Sequence, residues 1–181
     1  MPAYHPTIPS TENKIGGLAL LPLRQTAKGS ERGPAPLTTN EDIVDQSLDL
    51  FKANIFFKNF EFESSEDRVL VYLTLYIVEC LKRLQKCSSK EKGLQEMYSF
   101  ALEQFSLPGD SRFPLNAFFT KPKKNEEEAL KQYLIQLRHE TGARLVERVW
   151  SPGLTQDGKP SKWWISFAKR KFLNVSLSQT F

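Results

Sequence analysis

The chain has 181 residues, with 25 Lys and Arg against 21 Asp and Glu, two His and two Cys, and a formal net charge of +4. That length fits one domain around one core. Two histidines leave little material for a metal centre or a histidine-based general base.

Residues 1–38 carry Pro2, Pro6, Pro9, Pro22, Pro34 and Pro36, with Gly16, Gly17, Gly29 and Gly33 between them. These exclude long helices and central strands, so an extended arm is expected. MPAYHPTIPS has no basic n-region and no apolar h-region, so no secretory signal is read there. The run GGLALLPLR is the arm's one apolar stretch and must lie on another surface, either the chain's own core or a partner. Thr38 with Glu41 has capping-box spacing, and Ile43, Val44, Ser47, Leu48 and Phe51 recur at helical intervals, which predicts a first helix from about 40 to 54. In NIFFKNFEFESS, Phe60 and Phe62 alternate with Glu61 and Glu63 in an extended pattern. Phe56 and Phe57 stand side by side and cannot both face one core.

The stretch that follows organises the rest. Between Val69 and Leu81 only Thr74 and Glu79 are polar, so a helix over 66–86 is apolar on nearly every face and must be surrounded. It is too short to span a bilayer, which needs about 20 apolar residues. Ser64 with Asp67 supplies an N-cap, and Lys82, Arg83 and Lys86 suit the C-terminal end of the dipole. Cys80 and Cys87 are separated by about 10 Å of helical rise, too far for a disulfide, and read as reduced, intracellular thiols. Ser88 or Ser89 caps a third helix with the stripe Leu94, Met97, Tyr98, Ala101, Leu102 and Phe105, stopped by LPGDSRFPLN. A fourth runs from Asn125 to Trp150 on Leu130, Tyr133, Leu134, Leu137, Leu145 and Val149, with Gly142 tolerated inside it. Ser161 then precedes WWISFAKRKFL, a short aromatic and basic helix. The expected fold class is all-α, with about five helices and no sheet. The division is 1–38 arm, 39–174 helical domain and 175–181 polar tail.

A search for chemistry finds no GxxxxGK[ST], GxGxxG or CxxC, and neither His5 nor His139 has a partner at ligand spacing. No catalytic, cofactor-binding or metal-binding residues are assigned. His139 reads as a solvent-facing helix residue. Glu79 reads as paired with Lys82 or Arg83 one turn on, or with another polar group. The basic excess is concentrated: after Asp157 come Lys159, Lys162, Lys169, Arg170 and Lys171 and no acid, which leaves the preceding residues at −1 by difference. KPSKWWISFAKRKF mixes bases with aromatics. That composition suits single-stranded nucleic acid, an anionic membrane or a protein interface. It suits equally a lid on the chain's own core, with Trp163 and Phe167, and less readily Trp164, turned inward while the lysines stay in water.

MPAYH, ALLPL, FKANIFFKNFE, DRVLVYLTLYI, FPLN, PSKWW and FAKRKF, in this order along nearly the whole chain, resemble subunit 3 of the actin-related protein 2/3 complex. The resemblance implies an all-helical fold with one surrounded helix. It also implies a non-catalytic subunit of a seven-subunit nucleator that starts a daughter actin filament from the side of an existing one. No cofactor belongs to such a subunit, because the actin-related subunits hold the ATP. Its expected partners are the other subunits, chiefly an actin-related one, and the actin filament through the assembly. Nucleic acid and a membrane span are not expected, and the place is the cytoplasmic actin cytoskeleton. The sequence departs from the pattern in an arm enlarged around QTAKGSERG, in Arg112 where Gly is expected, and in Val175 where Lys is expected. Expected partner-facing residues are Phe56, Phe57, Lys162, Trp164, Lys169, Arg170 and Lys171. The rival class is a free-standing nucleic-acid or anionic-lipid binding module using 159–172.

Overall fold

The computed structural model describes residues 3–155 and 157–177; of the expected tail, 178–181 lie outside the described residues, as do Met1 and Pro2 of MPAYH. Two short strands come first, β1 (Lys14–Ile15) and β2 (Leu18–Ala19). Five helices follow: α1 (Ile43–Asn54), α2 (Ser65–Leu84), α3 (Lys90–Leu102), α4 (Glu127–Val149) and the one-turn α5 (Lys162–Ile165). Turns of 3-10 helix lead into α4 at Lys124–Glu126 and continue α5 at Ser166–Lys169.

The strands overturn the all-α expectation, since the helix-rich fold contains a two-stranded antiparallel sheet. Lys14 pairs with Ala19 and Ile15 with Leu18 across Gly16 and Gly17, which have φ of +58° and +80°. Two successive residues at positive φ form the turn whose twist suits a hairpin, and glycine adopts it without a steric penalty. The glycines that argue against strands are thus the turn that joins them. The apolar run behind the turn lies on the chain's own core, with Leu18, Ala19, Leu21 and Leu23 buried. The Tyr133 hydroxyl of α4 fixes it there, donating to the Ala19 carbonyl at 2.8 Å and accepting from the Leu21 N–H at 3.0 Å.

Around α2 the prediction holds closely. Ser64 Oγ accepts from the Asp67 N–H at 3.2 Å, while Asp67 Oδ2 accepts from the Ser64 N–H, a reciprocal cap. Every residue from Val69 to Leu81 is buried. β2 and the helices α1, α3, α4 and α5 pack around it.

Other helix starts differ from the sequence reading. α1 is capped by Asp42 with Asp45 rather than by Thr38 with Glu41, and so begins later than position 40. Asn125 sits inside the 3-10 turn instead of opening α4. α3 starts after Ser89 and stops at Leu102, before Phe105. Its predicted stripe is split: Gly93, Met97 and Ala101 face inward, while Leu94, Tyr98 and Leu102 are exposed. The inward row packs on α4 at very short range. A Cβ on Gly142 would stand 2.9 Å from Met97 Cβ, and one on Gly93 2.9 Å from the Trp150 ring.

Candidate protein interface

The closing segment lies over the C-terminal end of α1 because its own apolar row demands a surface. Trp164, Ala168 and Phe172 recur every four residues and are buried at 5 %, 2 % and 1 % exposure. The Trp164 ring stacks on Phe51 at 6.0 Å, and Lys52 Nζ stands 4.2 Å over its centre. Burial, with Arg148 nearby, lowers the Lys52 pKa. Trp163, one position earlier, is 69 % exposed. Trp164, expected to face a partner, is thus the buried indole, and Trp163, the readier of the two to face the core by sequence, is the exposed one. Four-residue steps from Trp164 reach Ala168 and Phe172 and from Trp163 reach Phe167 and Lys171; each row carries a second aromatic, so spacing alone left the choice open.

Beside this row the chain presents an aromatic and cationic face. Phe56 is exposed, with the Phe167 ring 6.0 Å away edge-on and the Arg170 guanidinium 5.0 Å from its centre. Lys162, Lys169, Arg170 and Lys171 are all exposed. Phe57 is half-buried against the core. Of the seven expected residues, five are exposed, Phe57 is half-buried and Trp164 is buried. No helix among the described residues is long and apolar enough to cross a membrane.

A buried polar cluster between α4, the start of α1 and the arm was not legible in the sequence. Arg144 donates to Asp42 from Nη1 and Nη2 at 2.6 and 2.8 Å, to Asp45 at 3.1 Å, to Glu140 at 2.8 Å and to the Arg24 carbonyl at 3.0 Å. Glu140 also accepts from Thr26 Oγ1 at 2.6 Å, the Ala27 N–H at 2.7 Å and the Ser30 hydroxyl. Burial raises the Glu140 pKa, but the hydrogen bonds from Ser30, Thr26, Ala27 and Arg144 outweigh it and hold the carboxyl below its ordinary range. The cluster fastens the arm to α1 and α4. His139 lies nearby under the arm, 4 % exposed, with its ring centre 5.0 Å from that of Tyr98. The expected solvent-facing histidine is thus covered, and burial lowers its pKa.

The remaining candidates for chemistry are used structurally. His5 Nδ1–H donates to Asp67 Oδ1 at 2.8 Å, and Glu63 Oε1 lies 3.9 Å from Nε2. This brings His5 to an acid 62 positions away, which sequence spacing did not anticipate. Asp67 Oδ2 already accepts the Glu63 and Ser64 N–H groups, so this triad serves the cap of α2. Glu79 accepts from Lys82 Nζ at 2.9 Å and from Ser176 Oγ at 2.7 Å.

A helical body with a pinned arm, and a surface built for contact rather than for a reaction, defines a structural subunit. Residues 1–177 match the family model described as P21-Arc, the ARP2/3 complex ARPC3 (21 kDa) subunit. The chain is 44 % identical to the actin-related protein 2/3 complex subunit 3 of Saccharomyces cerevisiae, covering 98 % of this chain and all of that protein. It is 46 % identical to the subunit of Dictyostelium discoideum, over 90 % and 91 % of the two chains. To that of Arabidopsis thaliana it is 40 % identical, over 95 % and 97 %. The chain belongs to the P21-Arc family of subunits of the ARP2/3 complex. It is a structural, non-catalytic subunit in actin nucleation, its partners are other subunits of that complex, and the free-standing nucleic-acid or lipid-binding reading is not favoured.

Proposed function

We propose that the chain docks through the face formed by Phe56, Lys162, Trp163, Lys169, Arg170 and Lys171, with the half-buried Phe57 and the buried Trp164 as its support. Its partner there is an actin-related subunit, and through the assembled complex it reaches the actin filament in the cytoplasmic cytoskeleton. The single observation behind this reading is the exposed Trp163 indole and the Arg170 guanidinium, both in a segment free of acids, with Arg170 set over the exposed Phe56 ring. Exposed aromatics with Arg form the centres of protein interfaces, and surrounding cations steer an acidic partner. We further propose that residues 1–38, 39–174 and 175–181 act as arm, body and tail of one unit.

The test separates docking from folding. Reversing Lys169 and Arg170 to Glu should move stability by no more than about 0.5 kcal/mol, because exposed substitutions rarely do more. Incorporation into the complex and branched-filament formation should fall, and Trp163→Ala should act in the same direction. A stably folded double variant that assembles and branches normally would overturn the proposal.

A further inference from the structure

A cavity of about 320 Å³ opens between α2, the end of α3 and α4, lined in part by Tyr76, Lys82, Lys86, Phe100, Phe105 and Arg138. It is separate from the docking face and from the arm cluster. Arg138 is 3 % exposed, yet no ion pair to a carboxylate is formed by it among the described residues. Its Nη2 and Nε donate to the carbonyls of Phe100 at 2.7 Å and Ala101 at 3.3 Å, in the last turn of α3. Its guanidinium carbon lies 4.3, 4.5 and 5.0 Å from the ring centres of Phe105, Tyr76 and Phe100. Carbonyls and ring faces lower the cost of burying this cation without neutralising it.

The acids at the cavity are already engaged. Glu79 receives Lys82 and Ser176, and Glu103 receives two bonds from Arg83 at 2.7 Å. Lys86 and Arg138 are left as cations facing one space. A second, independent observation points the same way. Tyr76 is fully buried and lines the cavity, and its hydroxyl has no partner in hydrogen-bond geometry among the described residues, with only the weakly bonding Cys80 thiol beside it. A buried hydroxyl seldom stays unpaired.

We propose that this cavity binds the oxyanion of a small aromatic phosphate or carboxylate. The anion sits between Arg138 and Lys86 and takes a hydrogen bond from the Tyr76 hydroxyl, while the ring of the ligand packs on Phe105 and Leu177. Five N–H donors on a guanidinium, with two carbonyls and the Tyr72 hydroxyl to serve, leave capacity for such a group.

The experiment titrates the full chain by calorimetry with phenyl phosphate, benzoate and inorganic phosphate. Phenyl phosphate or benzoate should bind saturably, and about tenfold more tightly than inorganic phosphate, since only the aromatic ligands use the apolar wall. Which aromatic anion binds better identifies phosphate or carboxylate as the preferred group. Tyr76→Phe and Lys86→Met should keep the wild-type melting temperature and each weaken binding about fivefold or more. Arg138→Met would also remove the cap on α3, so those two variants carry the test. Absence of saturable binding at millimolar ligand, or unchanged affinity in both variants, would overturn the proposal.

Discussion

Arg144 joins α1, α4 and the arm through one guanidinium. Replacing it by Met leaves Asp42 and Glu140 buried without a cation, a change that costs about 3–5 kcal/mol. Arg148, which pairs with Asp49 at 2.8 Å, sits at the surface, and its replacement by Met should cost under about 1 kcal/mol. Urea midpoints of the two variants test this order, and equal shifts would contradict it. The same cluster sets an acid limit. Burial raises the Asp45 pKa, but hydrogen bonds from Arg24 and the backbone and the charge of Arg144 overcome it, holding the carboxyl at about 2 against an ordinary 3.8. Because the folded value is the lower one, its contribution is complete above the ordinary value and is lost as pH falls from 3.8 through about 2. Glu140 acts in the same direction. Arg144→Met should therefore move the acid-unfolding midpoint to higher pH, read by circular dichroism. Tyr76, fully buried in α2, supplies a further residue-scale case. Tyr76→Asp would bury an unpaired charge at a cost of several kcal/mol against a total stability of about 5–15, and should unfold the chain. An unchanged melting curve would deny α2 its central place.

Among elements, the contact of α3 with α4 decides against local propensity. In an exposed helix Gly→Ala gains about 1 kcal/mol. At Gly142 the added methyl would stand 2.9 Å from Met97 Cβ, an atom tied to the backbone of α3. Overpacking of this kind costs about 1–3 kcal/mol, so Gly142→Ala should be net destabilising in thermal melts, and a higher melting temperature would show that the helices separate freely. The sequence pattern reads Gly142 as merely tolerated because the requirement comes from a residue 45 positions earlier. The α2 cap was legible for the opposite reason, since Ser64 and Asp67 lie within one turn. The sequence pattern misses the hairpin although its turn is local, because Gly16 and Gly17 count with the prolines as evidence against strands.

For the whole molecule, the arm is part of the core rather than an appendage. It contributes Leu18, Ala19, Leu21 and Leu23, and its backbone is held by Asn54, Gln46 and Glu66 at 2.8–3.0 Å. Deleting residues 1–24 should bare α2 and the Tyr133 hydroxyl, leaving helical far-ultraviolet circular dichroism with loss of the near-ultraviolet signal. A truncated chain with native near-ultraviolet signal would count against this role. What the sequence by itself determined is whatever acts within a few residues: the capped apolar helix α2, the period of α1 and α4, the concentration of positive charge at the end and the motifs that carry the family. Periodicity fixes the angle between neighbouring side chains, about 100° on a helix, but not which of them meets the core. Only the tertiary structure decided that Trp164 turns inward and Trp163 outward, that His139 is covered by the arm, and that Arg144 meets an acid 102 positions away. The absolute orientation of a helix and the partners of a buried charge are set by surfaces distant in sequence, and those exist only once the chain has packed.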